Sequence, residues 1–371
     1  MTDVNAQRDS NRLFLNSTLF SSGWFTLSFI FPLLLLREGY SYEAIGILGL
    51  ATSLPFPIIA GIYLYSGRRM IRFGMLMPPV FLAVMGISLI FFYSSFLLVL
   101  AIISGIIRAP WWISTEINLN SLESSRNAEK YSIGWGLPNA VIPIIMGFLL
   151  EFSHVYVLLI IAALLFSLAS IASPGNGARK RIIRKTKVEM RFSLALLFAG
   201  MFSGFLYYLL EPLMRESGYS YSLIGIVIAI YGISSAVSYV LLHYLPNLEL
   251  RSYSILSALL VAPAGLLGYY FQIPWIISVV VLGGIGVSLS MSKILSYLIS
   301  LYPPRKGVFF YETFFGVGFI IGSYGIDSTL QFAGKPVILI ITIASLAYVV
   351  YLLGDRARVR SVPVAPPGDP E

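Results

Sequence analysis

Twelve apolar stretches follow one another along this chain, each close to the roughly 20 residues that a helix needs to cross a bilayer. They run over about 13–36, 42–66, 73–95, 96–117, 131–152, 154–173, 192–213, 220–244, 253–272, 274–301, 307–330 and 336–354. A globular core cannot absorb this much apolar surface. Hydrophobic residues make up 57% of the chain and charged residues 11%, against about 25% charged in a soluble protein. The surrounding medium is therefore expected to be lipid, where the backbone must satisfy its own hydrogen bonds. Spans of this length read as helices, so the expected fold class is an all-α integral membrane protein. The shortest breaks fall near Tyr93-Ser94-Ser95 and at Gln272-Ile273-Pro274. Prolines inside spans, such as Pro55, Pro57, Pro138 and Pro143, are tolerable in lipid because neighbouring helices can bond the freed carbonyls.

A repeat divides the chain in two. Residues 39–47 read GYSYEAIGI and residues 218–226 read GYSYSLIGI, matching at seven of nine positions at an offset of 179. Each copy follows an apolar stretch carrying Pro-Leu and then Arg-Glu, and each opens a second apolar stretch. Arg126 and Arg305 lie at the same offset, each just before another span. The expected layout is an N-terminal segment 1–12, a six-helix bundle 13–173, a basic linker 174–191, a second six-helix bundle 192–354 and a tail 355–371. The linker PGNGARKRIIRKTKVEMR is the long polar stretch between the bundles, and the tail ends in VPVAPPGDPE, a composition that reads as disordered. Two similar halves in a membrane protein are the mark of a repeat-built transporter, because rocking one half against the other gives alternating access.

Charge placement sets the expected orientation. With the N-terminus inside, 20 of the 25 Lys and Arg residues fall on cytoplasmic segments, while the outer loops hold Arg37, Arg215 and Lys335. Both termini and the linker are thus expected in the cytoplasm of a cell whose plasma membrane holds the protein. The net charge of +8 is a topology signal and a contact for anionic lipid heads, not a nucleic-acid patch. Cysteine is absent, so neither a disulfide framework nor a thiolate metal site is expected. No small-residue cleavage site follows the first span, so no cleaved signal peptide is expected. His154 and His243 are far apart, and no metal spacing, phosphate loop or nucleophile elbow occurs. An enzyme is not expected, nor any cofactor or metal.

Six plus six spans, a basic central loop and both termini inside resemble the major facilitator superfamily over nearly the whole chain. That family often carries G-x-x-x-D-x-x-G-R-R/K between helices 2 and 3. Residues Gly61 to Arg69 (GIYLYSGRR) are similar, with Tyr65 in place of the aspartate and a spacing one residue short. A second family pattern places an arginine within helix 4, an acid at its inner end and an arginine before helix 5; Arg108, Glu116 and Arg126 are similar to that trio. The resemblance implies a cytoplasmic gate built from Arg68, Arg69, Glu116 and Arg126. It implies a cavity lined by helices 1, 4, 7 and 10, with 3, 6, 9 and 12 facing lipid. Gly134-Trp135-Gly136-Leu137-Pro138 is similar to the family's Gly/Pro-rich helix 5, which packs closely.

Charges inside a bilayer are costly, at about 2.5–3.5 kcal/mol each at a helix centre. Here they fall on Arg108, Glu116, Glu211, Lys293, Glu312 and Asp327. Arg108 lies about 18 Å from the outer end of its span, near the midplane, and shares a helical face with Ser104, Thr115 and either Trp111 or Trp112. It reads as a substrate or coupling contact; the plainer alternative is that it holds a neighbouring backbone carbonyl. Trp111, Trp112, Asn139, Tyr207 and Lys293 complete the candidate substrate-binding set, although Asn139 can equally serve to join helices. Lys293 and Glu312 lie at similar depth on adjacent helices. They read either as a fixed ion pair or as a proton-coupling pair that opens when Glu312 is protonated. Glu211 reads as a solvated residue at the outer mouth, and Gly318 with Gly322 as a helix-packing pair. The expected function is secondary active transport of a small organic solute, coupled to protons, by a monomer whose partners are that solute and lipid. The alternatives are efflux of apolar drugs, or a receptor or scaffold with the same fold.

Overall fold

The computed structural model describes residues 2–119, 125–152, 155–172, 190–244 and 249–354. Most of the linker, the tail and His154 lie outside them, as do the side chains of Arg68, Arg126 and His243. Among the described residues, eleven helices are long and apolar enough to cross a membrane, and a twelfth, of 17 residues, is shorter. In chain order they are α1 (Asn11–Arg37), α2 (Tyr42–Tyr65), α3 (Arg69–Phe91), α4 (Phe96–Asn118), α5 (Ile133–Phe152) and α6 (Val155–Ile171). The second set is α7 (Arg191–Glu216), α8 (Tyr221–Leu242), α9 (Leu250–Gly268), α10 (Ile273–Leu298), α11 (Pro304–Leu330) and α12 (Lys335–Gly354). No strand occurs among the described residues.

The α3–α4 junction is the least obvious of these boundaries. Helical bonding runs unbroken from Arg68 to Leu119. In a straight helix Gly74 and Ser114 would stand about 60 Å apart. Instead, a side chain added at Gly74 would strike the Ser114 hydroxyl and the Pro110 carbonyl. The chain therefore doubles back between Phe91 and Phe96, and α3 and α4 lie side by side as two spans.

The repeated nonapeptide gives two superimposable turns. Gly39 and Gly218 take positive φ angles of 81° and 87°. In the first copy the Tyr40 N–H donates to Leu35 O and the Gly39 N–H to Leu36 O, both at 3.0 Å. In the second, Tyr219 donates to Met214 O at 3.1 Å and Gly218 to Arg215 O at 3.0 Å. This is the Schellman pairing, in which a left-handed residue, almost free of strain when it is glycine, lets the last carbonyls of a helix find donors. The next helix then starts on a serine: Ser41 Oγ accepts from the Ala44 N–H at 3.3 Å, and Ser220 Oγ from the Leu223 N–H at 3.2 Å. Every one of these partners is related by 179 residues.

The packing repeats as well. α1 packs on α5 as α7 packs on α11, and α2 on α4 as α8 packs on α10. α1 and α7 are the most enclosed spans, with 89% and 83% of their apolar windows buried. Between α7 and α11 the approach is close enough to need glycines on both sides. Gly318 and Gly322 face the carbonyls of Leu197 and Met201, while Gly200 and Gly204 face those of Phe315 and Phe319. The two six-helix halves meet along α2–α11 and α5–α8. They touch at the end where the GYSY turns lie, through Gly225 against Pro143 and Gly147. At the opposite end, where α1 begins and α12 finishes, Arg305 of α11 donates to the carbonyls of Ser66 and Tyr63 at 2.5 and 3.4 Å. Those carbonyls close the C-terminus of α2, where a helix dipole favours a cation.

Candidate functional site

Between the halves lies a cavity of about 80 Å³. α1, α2, α4 and α5 line it from one half, and α7, α8, α10 and α11 from the other. Among the described residues, none of α3, α6, α9 or α12 lines the wall. Among the described residues, 11 of the 18 that line it are aromatic, and the charged ones are Arg108 and Glu312.

Arg108 sits in an aromatic cage. Its guanidinium carbon lies 4.1 Å from the Trp24 ring centre, 4.8 Å from that of Phe56 and 5.8 Å from that of Trp112. Ring faces are electronegative, so the cage stabilises a desolvated cation without neutralising it. Arg108 Nη2 also reaches the Thr52 carbonyl at 3.4 Å. One nitrogen thus holds a backbone carbonyl, as the plainer reading expects, and the residue lines the cavity.

The helical spacing 108, 112, 116 puts Arg108, Trp112 and Glu116 on one face of α4. The Trp112 indole N–H donates to Glu116 Oε1 at 3.1 Å. Of the pair Trp111 and Trp112, Trp112 lines the cavity. Trp111 is not a site residue in this structure. It is fully buried within the N-terminal half and stacks on Phe20 with ring centres 3.6 Å apart. Consecutive helical residues diverge by 100°, so only one of the pair can face the centre.

Two other expectations are corrected. Lys293 and Glu312 do not pair. The Lys293 ammonium lies 5.2 Å from the Tyr253 ring centre, on the α9 side of α10, and Lys293 is not part of the cavity wall. Glu116 is 2% exposed and makes no ion pair with a described residue, while the Arg68 and Arg126 side chains of the expected gate lie outside the described residues. Arg69 is exposed. Glu211 is fully buried rather than solvated. Glu312 does face the cavity, and its carboxyl lies within hydrogen-bonding reach of that of Glu116.

α7 supplies two adjacent tyrosines on a single turn of π-helix, Leu206–Leu210. Both line the cavity, and each ties α7 to the opposite half. Tyr207 Oη donates to Asn139 Oδ1 on α5 at 3.0 Å. Tyr208 Oη bonds Thr52 Oγ1 on α2 at 2.9 Å. Asn139 thus joins helices and is not part of the cavity wall. The sequence reading missed Trp24, Phe56 and Tyr208. Trp24 had a signal: Ser17, Ser21, Trp24 and Ser28 fall on one helical stripe of an otherwise apolar span. No group of three His, Asp or Glu side chains able to hold a metal gathers among the described residues.

The crystal structure of the human organic anion transporter MFSD10 (TETRAN) matches this architecture with a TM-score of 0.67. The match covers 94% of this chain and 99% of that one at 14% sequence identity. The chain has the major facilitator fold. No protein-family model matches the sequence, and a search of curated proteins gave no match. The resemblance implied a cavity lined by helices 1, 4, 7 and 10; here α2, α5, α8 and α11 contribute to the wall as well.

Proposed function

We propose that this protein is a secondary active transporter that carries a small organic solute by alternating access and uses protons as the coupling ion. One observation supports this reading above the others: a central, mainly aromatic cavity is built equally from the two halves and encloses one guanidinium and one carboxyl. Midplane sites at a repeat interface are where repeat-built carriers hold their cargo. In this reading the protein lies in the cell membrane, and the end bearing Arg69, Arg72, Arg251 and Arg305 is cytoplasmic. The segments 1–12 and 355–371 and the linker 174–191 then also lie in the cytoplasm.

The caged Arg108 favours a solute with an anionic group and an apolar, flat body. Aromatic walls contact the body, and a guanidinium offers a planar donor fork to a carboxylate. The neighbouring fold's description as an organic anion transporter agrees with this choice. Glu312, which faces the same cavity, carries the coupling proton. The test is reconstitution into proteoliposomes with a panel of labelled aromatic carboxylates, sugars, amino acids and cationic dyes. Uptake of an aromatic carboxylate driven by an inward proton gradient is expected. Glu312→Gln should abolish gradient-driven accumulation while keeping exchange of labelled for unlabelled solute. Accumulation of the same solute by the glutamine variant would remove Glu312 from the coupling role. Preference for cationic dyes would instead favour drug efflux, which the aromatic wall also accommodates.

A further inference from the structure

Glu116 and Glu312 come from opposite halves, Glu116 on α4 and Glu312 on α11. Both are 2% exposed. Their carboxyl groups lie within hydrogen-bonding reach of each other. Glu116 Oε1 is occupied by the Trp112 indole N–H. Glu116 Oε2 and Glu312 Oε1 are buried with no donor from any described residue. Two carboxylates cannot face each other in this way, because neither offers a hydrogen and the like charges repel. One proton placed between them turns an unsatisfied, repelling pair into a charge-assisted O–H···O⁻ bond.

We infer that Glu116 and Glu312 form a single proton-binding site that spans the two halves of the protein and holds one shared proton in the arrangement described here. The site has an exchange route, since Glu312 lines the cavity while Glu116 stands behind it against Trp112. It also has a mechanical consequence. With the proton, α4 and α11 are bonded. When the proton leaves through the cavity, two facing carboxylates remain and push α4 and α11 apart at that point. Proton release is thereby tied to separation of the halves, and the proton acts as a removable latch. The groups around the pair are few. Arg108 on α4 is a cation close enough to act on Glu312. α7 brings Tyr207 and Tyr208, α8 Tyr231 and α11 Tyr311, while α1 brings Trp24, α2 Phe56, α5 Trp135 and α10 Met291 to the same cavity, none of these four charged. Lys293 points away toward Tyr253.

This inference rests on the transporter reading only for its role, and the test needs no solute. Infrared spectra of the purified protein in lipid report protonated carboxyl groups through their C=O stretch. They would be recorded for the unaltered protein, Glu116→Gln, Glu312→Gln and the double variant, with thermal unfolding as the check on folding. A glutamine amide can donate to the remaining carboxylate, so either single substitution is expected to remove the whole signal of one protonated carboxyl. The double variant is then expected to lose no more than either single one. If the double variant loses twice as much as a single variant, the two groups hold separate protons and the shared site is wrong. If no variant loses signal, the pair holds no proton and the site is equally wrong. The double variant against whichever single variant folds is sufficient for the decision. A protein that carries no solute would leave this result standing, and loss of the shared proton would leave Arg108-dependent uptake to be judged separately.

Discussion

At the scale of single residues, the cavity's chemistry rests on Arg108. Its guanidinium lies against three ring faces and reaches one backbone carbonyl. Arg108→Gln should therefore fold and insert, yet lower initial uptake by about tenfold or more, the factor that each 1.4 kcal/mol represents. Arg108→Lys should recover part of the rate, because lysine keeps the charge but not the planar fork. Lys293→Met should leave uptake close to normal, since Lys293 faces Tyr253 outside the cavity. Initial rates in proteoliposomes measure all three, and normal uptake by Arg108→Gln would reduce that residue to a structural anchor. How much of this was legible follows from what spacing encodes. Depth along a helix can be counted from the sequence, and Arg108 and Glu312 both line the cavity. Azimuth relative to another helix cannot, so two residues at similar depth on adjacent helices, Lys293 and Glu312, were paired when they face different neighbours. The 108–112–116 spacing did hold the link from Arg108 through Trp112 to Glu116. The family resemblance assigns Glu116 to a gate instead.

At the scale of elements, the sequence was most informative where one residue type meets a backbone demand. The glycine of each GYSY copy takes a φ that other residues adopt at a cost, and the serine two positions later caps the following helix. Each turn was therefore visible as punctuation, and its repetition at an offset of 179 announced two equivalent halves. Because the hydrogen bonds at the two turns match partner for partner, Gly39→Ala and Gly218→Ala should cost nearly the same. The expected loss is about 1–2 kcal/mol each, the price of left-handed backbone for an L-residue. Equilibrium unfolding in detergent measures it, and a large difference between the two variants would show that the turns are not equivalent. The π-helical turns in α7 and α11 were not legible, since a π-turn is set by the packing of a helix against its neighbours and leaves no residue signature of its own.

At the scale of the whole molecule, two similar halves joined at both ends pose the question of what holds each end shut. At the end where α1 begins, the described cross-half link is Arg305 on the carbonyls of Ser66 and Tyr63. A cation on the carbonyls of a helix C-terminus makes a charge-assisted bond, worth about 1.5–3 kcal/mol. That energy exists only while α2 and α11 stay together, so it biases the equilibrium toward closure of this end. Removing it should raise the population open at this end by about tenfold for each 1.4 kcal/mol lost. The absence of cysteine makes this directly measurable, because an introduced thiol is the only one in the chain. A cysteine at Ser203, which lines the cavity on α7, reports access to the centre. In inside-out vesicles, Arg305→Ala should speed labelling of that cysteine by a membrane-impermeant thiol reagent roughly tenfold. In right-side-out vesicles the same substitution should slow it, since the two open forms compete for one population. An unchanged rate from both sides would mean that Arg305 caps α2 without holding the halves together. Faster labelling from the outside instead would mean that the end bearing Arg305 faces out, reversing the orientation proposed from the distribution of basic residues.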